Sequence, residues 1–309
     1  MEVLLATLSK VLVIFLLVVV GYFFTKKGMI SERGAGDITN ILTKACTPCV
    51  IINAFIASKG NVEISEMAYA LAIAVLSLAV SIIVGRIGFR DQGPFRIPVL
   101  RFAVTFSNMG FMGVPLVQGI VGPKGVVYAS FGIVMFNLLS WTYGYRMMNS
   151  NAKMTLRTVL LNPGMIGILI GLPIYFIDAG MPSVISDPIG MIAALNTPLA
   201  MMIVGSYVAK LDFRAFVSDK SVYKVAALRL LLAPTIFLII MLFIRPEKDL
   251  LITGMIQACT PVAANCVLFA VQYKKDSLLA SKCIAVTTVL SVITIPMFIL
   301  LAEWLPGLF

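Results

Sequence analysis

The sequence predicts an all-α polytopic membrane protein in which ten transmembrane helices form two inverted repeats of five. Three observations lead to this fold class. Of the 309 residues, 60% are hydrophobic and only 12% are charged, and the mean hydropathy is +1.01, which is too apolar for a soluble domain. Apolar segments of membrane-spanning length recur along the chain. The loops between these segments alternate between many and few basic residues.

The ten predicted spans cover nearly the whole chain. They run over residues 4–24, 38–58, 67–88, 98–120, 125–147, 163–179, 189–209, 222–244, 250–273 and 279–302. Five fall in residues 1–150 and five in residues 151–309, and we take these halves as the two repeats. Span 1 is a plain apolar helix, and because no small-residue cleavage site follows it, we expect it to remain in the mature protein.

The basic residues lie mainly in the odd-numbered loops. Examples are Lys26 and Lys27 in the first loop and Lys274 and Lys275 in the ninth, whereas the even-numbered loops hold few. By the positive-inside rule the odd-numbered loops face the cytoplasm, so both termini of this cell-membrane protein are extracytoplasmic. The formal net charge of +10 therefore reflects topology. We expect the lipid bilayer as a partner and no binding of nucleic acid.

Spans 2 and 7 carry matching Thr-Pro pairs. Thr47-Pro48 and Thr197-Pro198 lie 150 residues apart, and each pair belongs to the second span of its half. We expect each proline to kink its span. The shared position indicates a tandem repeat, and an odd number of spans in each half places the two halves in opposite orientations.

Span 4 is interrupted where an ordinary helix would continue. The stretch from Ser107 to Pro115 contains Asn108, Gly110 and Gly113. The glycines weaken the helix, and Pro115 removes a backbone donor and clashes with the preceding turn. In hydrocarbon such a break is tolerated only beside a polar cavity or inside protein.

Span 9 is interrupted in a similar way. Thr260 and Pro261 break an apolar run, and Asn265 follows them. One broken span in each half is the sequence sign of a transporter's central site, whereas the alternative is a pair of structural proline kinks.

Polar and small residues mark other spans. Asn137 in span 5 and Thr287-Thr288 in span 10 either hold helices together or form a cation site. Gly167 and Gly171 in span 6 predict close helix contact, within the chain or between subunits. Spans 3 and 8 are predicted to be continuous, and Arg229, one turn inside span 8, is expected to extend to the cytoplasmic face.

The chain has five cysteines and no histidine. Cys46 and Cys49 have the spacing of a redox motif, but they lie inside an apolar span, where buried structural thiols are expected. We predict no metal site and no cofactor. An intramembrane enzyme ranks lowest among the functions, because the sequence holds no paired aspartates and no nucleophile with a histidine base.

On these residues the chain resembles the auxin efflux carrier family in its compact prokaryotic form. The resemblance rests on Ser107-Asn108 through Gly113-Val114-Pro115, on Asn162-Pro163 at the start of span 6, and on Thr260-Pro261 in span 9. It implies a fold similar to the sodium/bile-acid symporters and sodium/proton antiporters. Spans 1, 2, 6 and 7 would form a scaffold domain, and spans 3–5 and 8–10 a transport domain. Spans 4 and 9 would cross at the centre.

The resemblance also implies an elevator-type movement, a homodimer and a small organic acid as substrate. Plant members of that family export auxin, and bacterial members are associated with malate or malonate. The residues support an anion, because a helix interrupted at mid-membrane presents free amide groups and a positive dipole end. We expect the substrate to contact Asn108, Gly110, Gly113, Pro115, Thr260, Pro261 and Asn265, faced by Thr47, Asn53, Asn196 and Thr197.

Titratable groups are absent from the middle of the predicted spans. All 14 acidic residues fall in loops, at the termini or near span ends, and there is no histidine to relay protons. Passive movement of a carboxylate anion along the membrane potential is therefore the simplest hypothesis. The alternatives are Na⁺-coupled symport through neutral oxygens of Asn137, Thr287 and Thr288, and a membrane sensor that binds a small acid without transporting it.

Overall fold

The computed structural model describes residues 2–149, 163–177, 181–209 and 219–305. Within these ranges the chain is helical apart from short connections and one isolated antiparallel bridge. Asn162, which contributes to the family resemblance, lies outside the described residues.

The helices follow in chain order. They are α1 Glu2–Lys26, α2 Glu32–Ile41, α3 Thr47–Ala57, α4 Ile64–Gly88, α5 Gly93–Thr105, α6 Val114–Ile120, α7 Pro123–Leu139, α8 Tyr145–Met148, α9 Pro163–Phe176, α10 Ser183–Ala194, α11 Asn196–Ala209, α12 Lys220–Ala227, α13 Ala233–Ile244, α14 Lys248–Cys259, α15 Asn265–Gln272 and α16 Ser277–Trp304.

Several of these helices join into segments that are long and apolar enough to cross a membrane. In the part of the chain that the structure describes there are six: Glu32–Ala57, Ile64–Gly88, Pro123–Met148, Ser183–Ala209, Lys220–Ile244 and Ser277–Trp304. Shorter apolar helices cover Leu12–Lys26, Met109–Ile120 and Pro163–Phe176. The prediction of an all-α, multi-pass membrane protein is confirmed. Ten crossings and inverted repeats stay predictions.

Single π-helical turns join helices within predicted spans 2, 4, 5 and 8. They cover Leu42–Cys46, Met109–Gly113, Ser140–Gly144 and Leu228–Leu232. All but the third are followed within two residues by a proline, whose ring clashes with the preceding turn and widens it. Span 8, predicted to be continuous, is one helical segment over Lys220–Ile244, with the π-helical turn before Pro234 inside it.

The chain divides into two compact units, and each unit draws on both halves of the sequence. Unit 1 comprises Met1–Leu71, Gly110–Asn137 and Thr155–Ala209, and unit 2 comprises Ala72–Met109, Leu138–Met154 and Lys210–Phe309. The assignment of whole spans to a scaffold and a transport domain stays a prediction.

Glycines determine how closely the helices of unit 1 approach. A Cβ atom on Gly205 of α11 would lie 2.0 Å from the carbonyl oxygen of Val18 in α1. Gly167 and Gly171 of α9 lie against Ile51 and Phe55 of α3, where a Cβ would come within 2.9 and 2.6 Å. The close helix contact predicted for these two glycines therefore forms within one chain.

Aromatic rings fill the interior of unit 2. Phe269 of α15 packs edge-on against Phe102 of α5 and Trp141, with ring centroids 5.4 and 4.9 Å apart. Phe102 also stacks on Phe106, where α5 has ended, at 4.4 Å. This cluster fixes α15 against the end of α5, and both helices adjoin the interruptions described next.

Candidate functional site

The interruptions in spans 4 and 9 pair with each other inside unit 2. After α5 ends at Thr105 and α14 ends at Cys259, both chains become extended. Ser107 and Val262 form an antiparallel bridge. The Asn108 N–H donates to the Pro261 carbonyl at 2.7 Å, and the Ala263 N–H donates to the Phe106 carbonyl at 3.0 Å. We call these segments, residues 106–108 and 260–263, the paired break.

A backbone carbonyl of α14 and a side chain of α16 support the paired break. The hydroxyl groups of Ser107 and Thr260 both donate to the Gln257 carbonyl in α14, at 2.9 and 3.1 Å. The Val262 N–H donates to Thr287 Oγ1 of α16 at 3.1 Å, and that hydroxyl donates to the Cys283 carbonyl at 2.7 Å. Backbone groups released by the break are therefore satisfied by protein partners.

Two asparagines remain available at the paired break. Asn108 is 8% exposed, and its side-chain amide bonds to no residue that the structure describes. Asn265 begins α15, and Ala264 before it provides no side-chain cap for the first N–H groups of that helix. The N–H groups of Cys266 and Val267 in the first turn donate to the Ala263 and Ala264 carbonyls, at 3.0 and 3.2 Å. What this place offers an anion is therefore the two side-chain amides and the positive end of the α15 dipole.

Arg229 is buried, which contradicts its predicted extension to the cytoplasmic face. It is 1% exposed and lies in the π-helical turn Leu228–Leu232. Its guanidinium donates to the Val104 carbonyl at 2.9 Å, to Ser81 Oγ at 3.2 Å and to the Ala258 carbonyl. The prediction was wrong because the sequence alone did not show that two helices end nearby and offer free carbonyl groups.

A cavity of about 240 Å³ with both polar and apolar lining residues lies in unit 1. It is lined by Val50, Asn53, Val114, Gln118, Gly190, Ala193, Ala194, Asn196 and Thr197. Three predicted substrate contacts, Asn53, Asn196 and Thr197, are therefore brought together. In the described part of the chain their side chains form no hydrogen bonds with protein, so their polar groups are available to a ligand.

The remaining predicted contacts have separate surroundings. Gly110 and Gly113 lie in the π-helical turn Met109–Gly113, and Pro115 is the second residue of α6. A Cβ on Gly110 would meet nothing within 4 Å. Thr47 does not line the cavity, and its hydroxyl donates to the Leu42 carbonyl at 2.9 Å across the widened turn of span 2.

The three candidate cation ligands each donate to their own helix. Thr287 donates as described above, Thr288 Oγ1 donates to Ile284 at 2.7 Å, and Asn137 Nδ2 donates to Ile133 at 2.9 Å. Thr287 and Thr288 belong to unit 2 and Asn137 to unit 1. A joint cation site stays a prediction. Within the described ranges no three His, Cys, Asp or Glu residues form a group able to hold a metal ion.

The sequence analysis did not predict the surroundings of three side chains. Ser107 was quoted only as the start of a motif, Gln118 was not considered, and Arg229 was assigned to the membrane surface. A signal existed for Arg229, because it lies five residues before Pro234 inside an apolar span. A charged side chain at a turn widened by proline, inside an apolar span, indicates that hydrogen-bond acceptors lie nearby in the fold.

Comparison with known proteins gives consistent matches along the chain. A family model described as "Membrane transport protein" matches residues 6–157 and again residues 150–299. The chain is 24% identical over 300 residues to an uncharacterized transporter of Methanothermobacter thermautotrophicus, covering 94% of this chain and 96% of that protein. It is 26% identical over 214 residues to an uncharacterized transporter of Methanocaldococcus jannaschii, covering 64% of this chain and 68% of that protein.

Proposed function

Because the chain belongs to the membrane transport protein family, which is that of the auxin efflux carriers, we propose that it moves a small organic carboxylate anion across the membrane. The family is one of membrane transporters and not of enzymes. In this chain the paired break is the observation that best supports transport of an anion. Where the two helices are interrupted, the extended segments give up helical hydrogen bonds and pair with each other. This pairing brings Asn108 and the start of α15 to one place inside unit 2.

The chemistry of the paired break supports an anionic substrate. The side-chain amides of Asn108 and Asn265 can donate hydrogen bonds, and the N-terminal end of α15 carries partial positive charge. In a dry site each such donor favours a carboxylate strongly, since charge-assisted hydrogen bonds are about twice as strong as neutral ones. In this proposal the substrate also contacts Asn53, Asn196 and Thr197, which line the cavity of unit 1.

We propose alternating access by an elevator-type movement in a homodimer with both termini extracytoplasmic. This part of the proposal rests on the membership of the chain in a family of membrane transporters. An inside-negative membrane potential favours export of a monoanion by about 2.3 kcal/mol per 100 mV, so no coupling ion is required.

Tracer flux in proteoliposomes tests this function. Vesicles containing purified protein are preloaded with unlabelled carboxylates, and counterflow of a labelled carboxylate is followed, with protein-free vesicles as the control. Saturable counterflow that does not need Na⁺ is expected. Saturable binding without counterflow would overturn the proposal in favour of a membrane sensor, and strict dependence on Na⁺ would replace it with symport.

A further inference from the structure

Arg229 is the one charged side chain among the buried residues that the structure describes. The hydrogen bonds of its guanidinium group fix its position in the fold. One terminal nitrogen donates to Val104 and Ser81, and the other donates to Ala258, so the guanidinium is held from α4, α5 and α14 within unit 2. A buried arginine held in this way has little freedom to reach the membrane surface.

The backbone acceptors of Arg229 are the C-terminal ends of the two interrupted helices. α5 ends one residue after Val104, and α14 ends one residue after Ala258. Carbonyl groups in a last helical turn lack helical partners and carry the negative end of the helix dipole. The guanidinium therefore joins the two ends and offsets their negative potential, while the N-terminal end of α15 stays positive at the paired break.

No carboxylate offsets the charge of Arg229 within the described ranges. Asp219 and Asp276, which belong to the same unit, face Arg96 instead. Helix ends are dipoles without net charge, so the bonds to Val104 and Ala258 leave one whole positive charge in the apolar interior. Such a charge is costly in hydrocarbon unless an opposite charge accompanies it.

We propose that Arg229 supplies the countercharge of the transported anion and thereby selects a singly charged carboxylate. This inference rests on the function proposed above. With one monocarboxylate bound, the formal charge in the interior of unit 2 is zero. A dicarboxylate leaves one negative charge and an uncharged amide leaves one positive charge. Arg229 acts as a positioning residue that sets the sign and number of substrate charges through the potential at the paired break.

Selectivity of the wild-type protein is the first test, and it requires no variant. The flux of the carboxylate that the protein carries is measured in proteoliposomes against added lactate, malate and lactamide, which are a matched monoanion, dianion and uncharged amide. Lactate is expected to inhibit at a concentration on the order of tenfold below the other two. Stronger inhibition by malate or lactamide than by lactate would overturn the proposal.

Variants of Arg229 form the second test. Arg229→Met is expected to lower kcat/KM for the monocarboxylate on the order of tenfold or more and to remove the preference for lactate over lactamide. Arg229→Lys, which keeps the charge, is expected to restore that preference even where its turnover is slower. Arg101→Met is the matched control, because Arg101 also donates to a backbone carbonyl of unit 2, that of Phe89 at 2.9 Å, away from the paired break.

The outcomes separate this proposal from the proposed function. Wild-type protein that carries no carboxylate refutes the function itself. Wild-type protein that carries one, together with a monodisperse Arg229→Met that keeps the same charge preference, refutes only the role of Arg229. If Arg229→Met does not fold, the wild-type inhibition series decides between a selective countercharge and a purely structural arginine.

Discussion

Asn108 contributes to the paired break through two different groups. Its backbone N–H holds the bridge to Pro261, whereas its side-chain amide has no partner in the described part of the protein. Asn108→Ala is therefore expected to leave the Tm close to that of the wild type and to weaken carboxylate binding about 10- to 100-fold, the cost of a lost hydrogen bond to a charged group. Calorimetric titration and thermal unfolding in detergent measure the two effects.

The control for Asn108→Ala is Asn61→Ala, which truncates an exposed asparagine in the turn after α3. It is expected to change neither property. A large drop in Tm for Asn108→Ala would show that the side chain is structural and would remove it from the substrate site.

Ser107 illustrates a purely structural hydroxyl beside that asparagine. It is 1% exposed and bonds to the Gln257 carbonyl. Ser107→Ala removes one buried hydrogen bond and is expected to lower the free energy of unfolding by about 1 kcal/mol. Binding of the carboxylate should persist, as titration can show. A variant that keeps wild-type stability but loses binding would instead place the Ser107 hydroxyl against the substrate.

The ion pair between Asp219 and Arg96 predicts a pH dependence of stability. Burial raises the pKa of the Asp219 carboxyl, but the Ser221 backbone N–H and the Arg96 guanidinium lower it by more, so it lies below its ordinary value. The ionised carboxylate therefore stabilises the fold above a pH of about 4, and this stabilisation is lost as the pH falls through the lowered pKa.

Asp219→Asn is expected to lower the Tm at pH 7 and to reduce its fall toward pH 3.5. The matched control is Asp37→Asn, which changes an exposed carboxylate of α2. Thermal unfolding measured in detergent across that pH range tests this expectation. An unchanged pH profile for Asp219→Asn would show that the ion pair contributes nothing to stability.

At the scale of elements, α16 supports the interruption of span 9 through one hydroxyl. Thr287 accepts the Val262 N–H, whereas the neighbouring Thr288 bonds only to Ile284 of its own helix. Thr287→Val is expected to leave the Val262 N–H unsatisfied and to destabilise the protein by about 1–3 kcal/mol. Thr288→Val is the matched control and should cost less. Thermal unfolding measures both variants, and equal Tm values would contradict the support of span 9 by Thr287. The same measurement with and without Na⁺ tests the predicted cation site.

The contact between α1 and α11 depends on glycine. Gly205→Ala places a Cβ against the carbonyl of Val18, and overpacking of this kind typically costs about 1–3 kcal/mol. Gly36→Ala in α2 is the control, because a Cβ there would meet nothing within 4 Å. The Tm should fall for Gly205→Ala alone. Wild-type stability for Gly205→Ala would mean that the two helices have room to separate.

Some features of these elements could be predicted from the sequence and others could not. The breaks in spans 4 and 9 were predictable, because Gly110, Pro115 and Pro261 weaken a helix by local chemistry. The bridge between Ser107 and Val262 was not, because pairing of extended segments 155 residues apart depends on tertiary packing. For the same reason the sequence placed Arg229 at the surface, while the structure gives it acceptors from distant helices.

At the scale of the whole molecule, seven of the eleven residues predicted to bind substrate occupy two places. Asn108, Thr260, Pro261 and Asn265 belong to the paired break or its flanks in unit 2. Asn53, Asn196 and Thr197 line the cavity of unit 1. Periodicity and composition identified polar residues inside apolar spans, but only the fold assigns each of them to a unit. Each group is expected to contact the transported carboxylate.

Charge movement in reconstituted protein tests that account most directly. Proteoliposomes adsorbed on a solid-supported membrane are given mono-, di- and aromatic carboxylates with and without Na⁺, and Asn108→Ala is measured beside the wild type. The account predicts a saturable current of anion sign that needs no Na⁺ and is largest for monocarboxylates. At carboxylate concentrations that half-saturate the wild type, the current of Asn108→Ala is expected to be about 10-fold smaller or less. A current that requires Na⁺, or one of equal size in Asn108→Ala, would contradict the assignment of the paired break as the anion site.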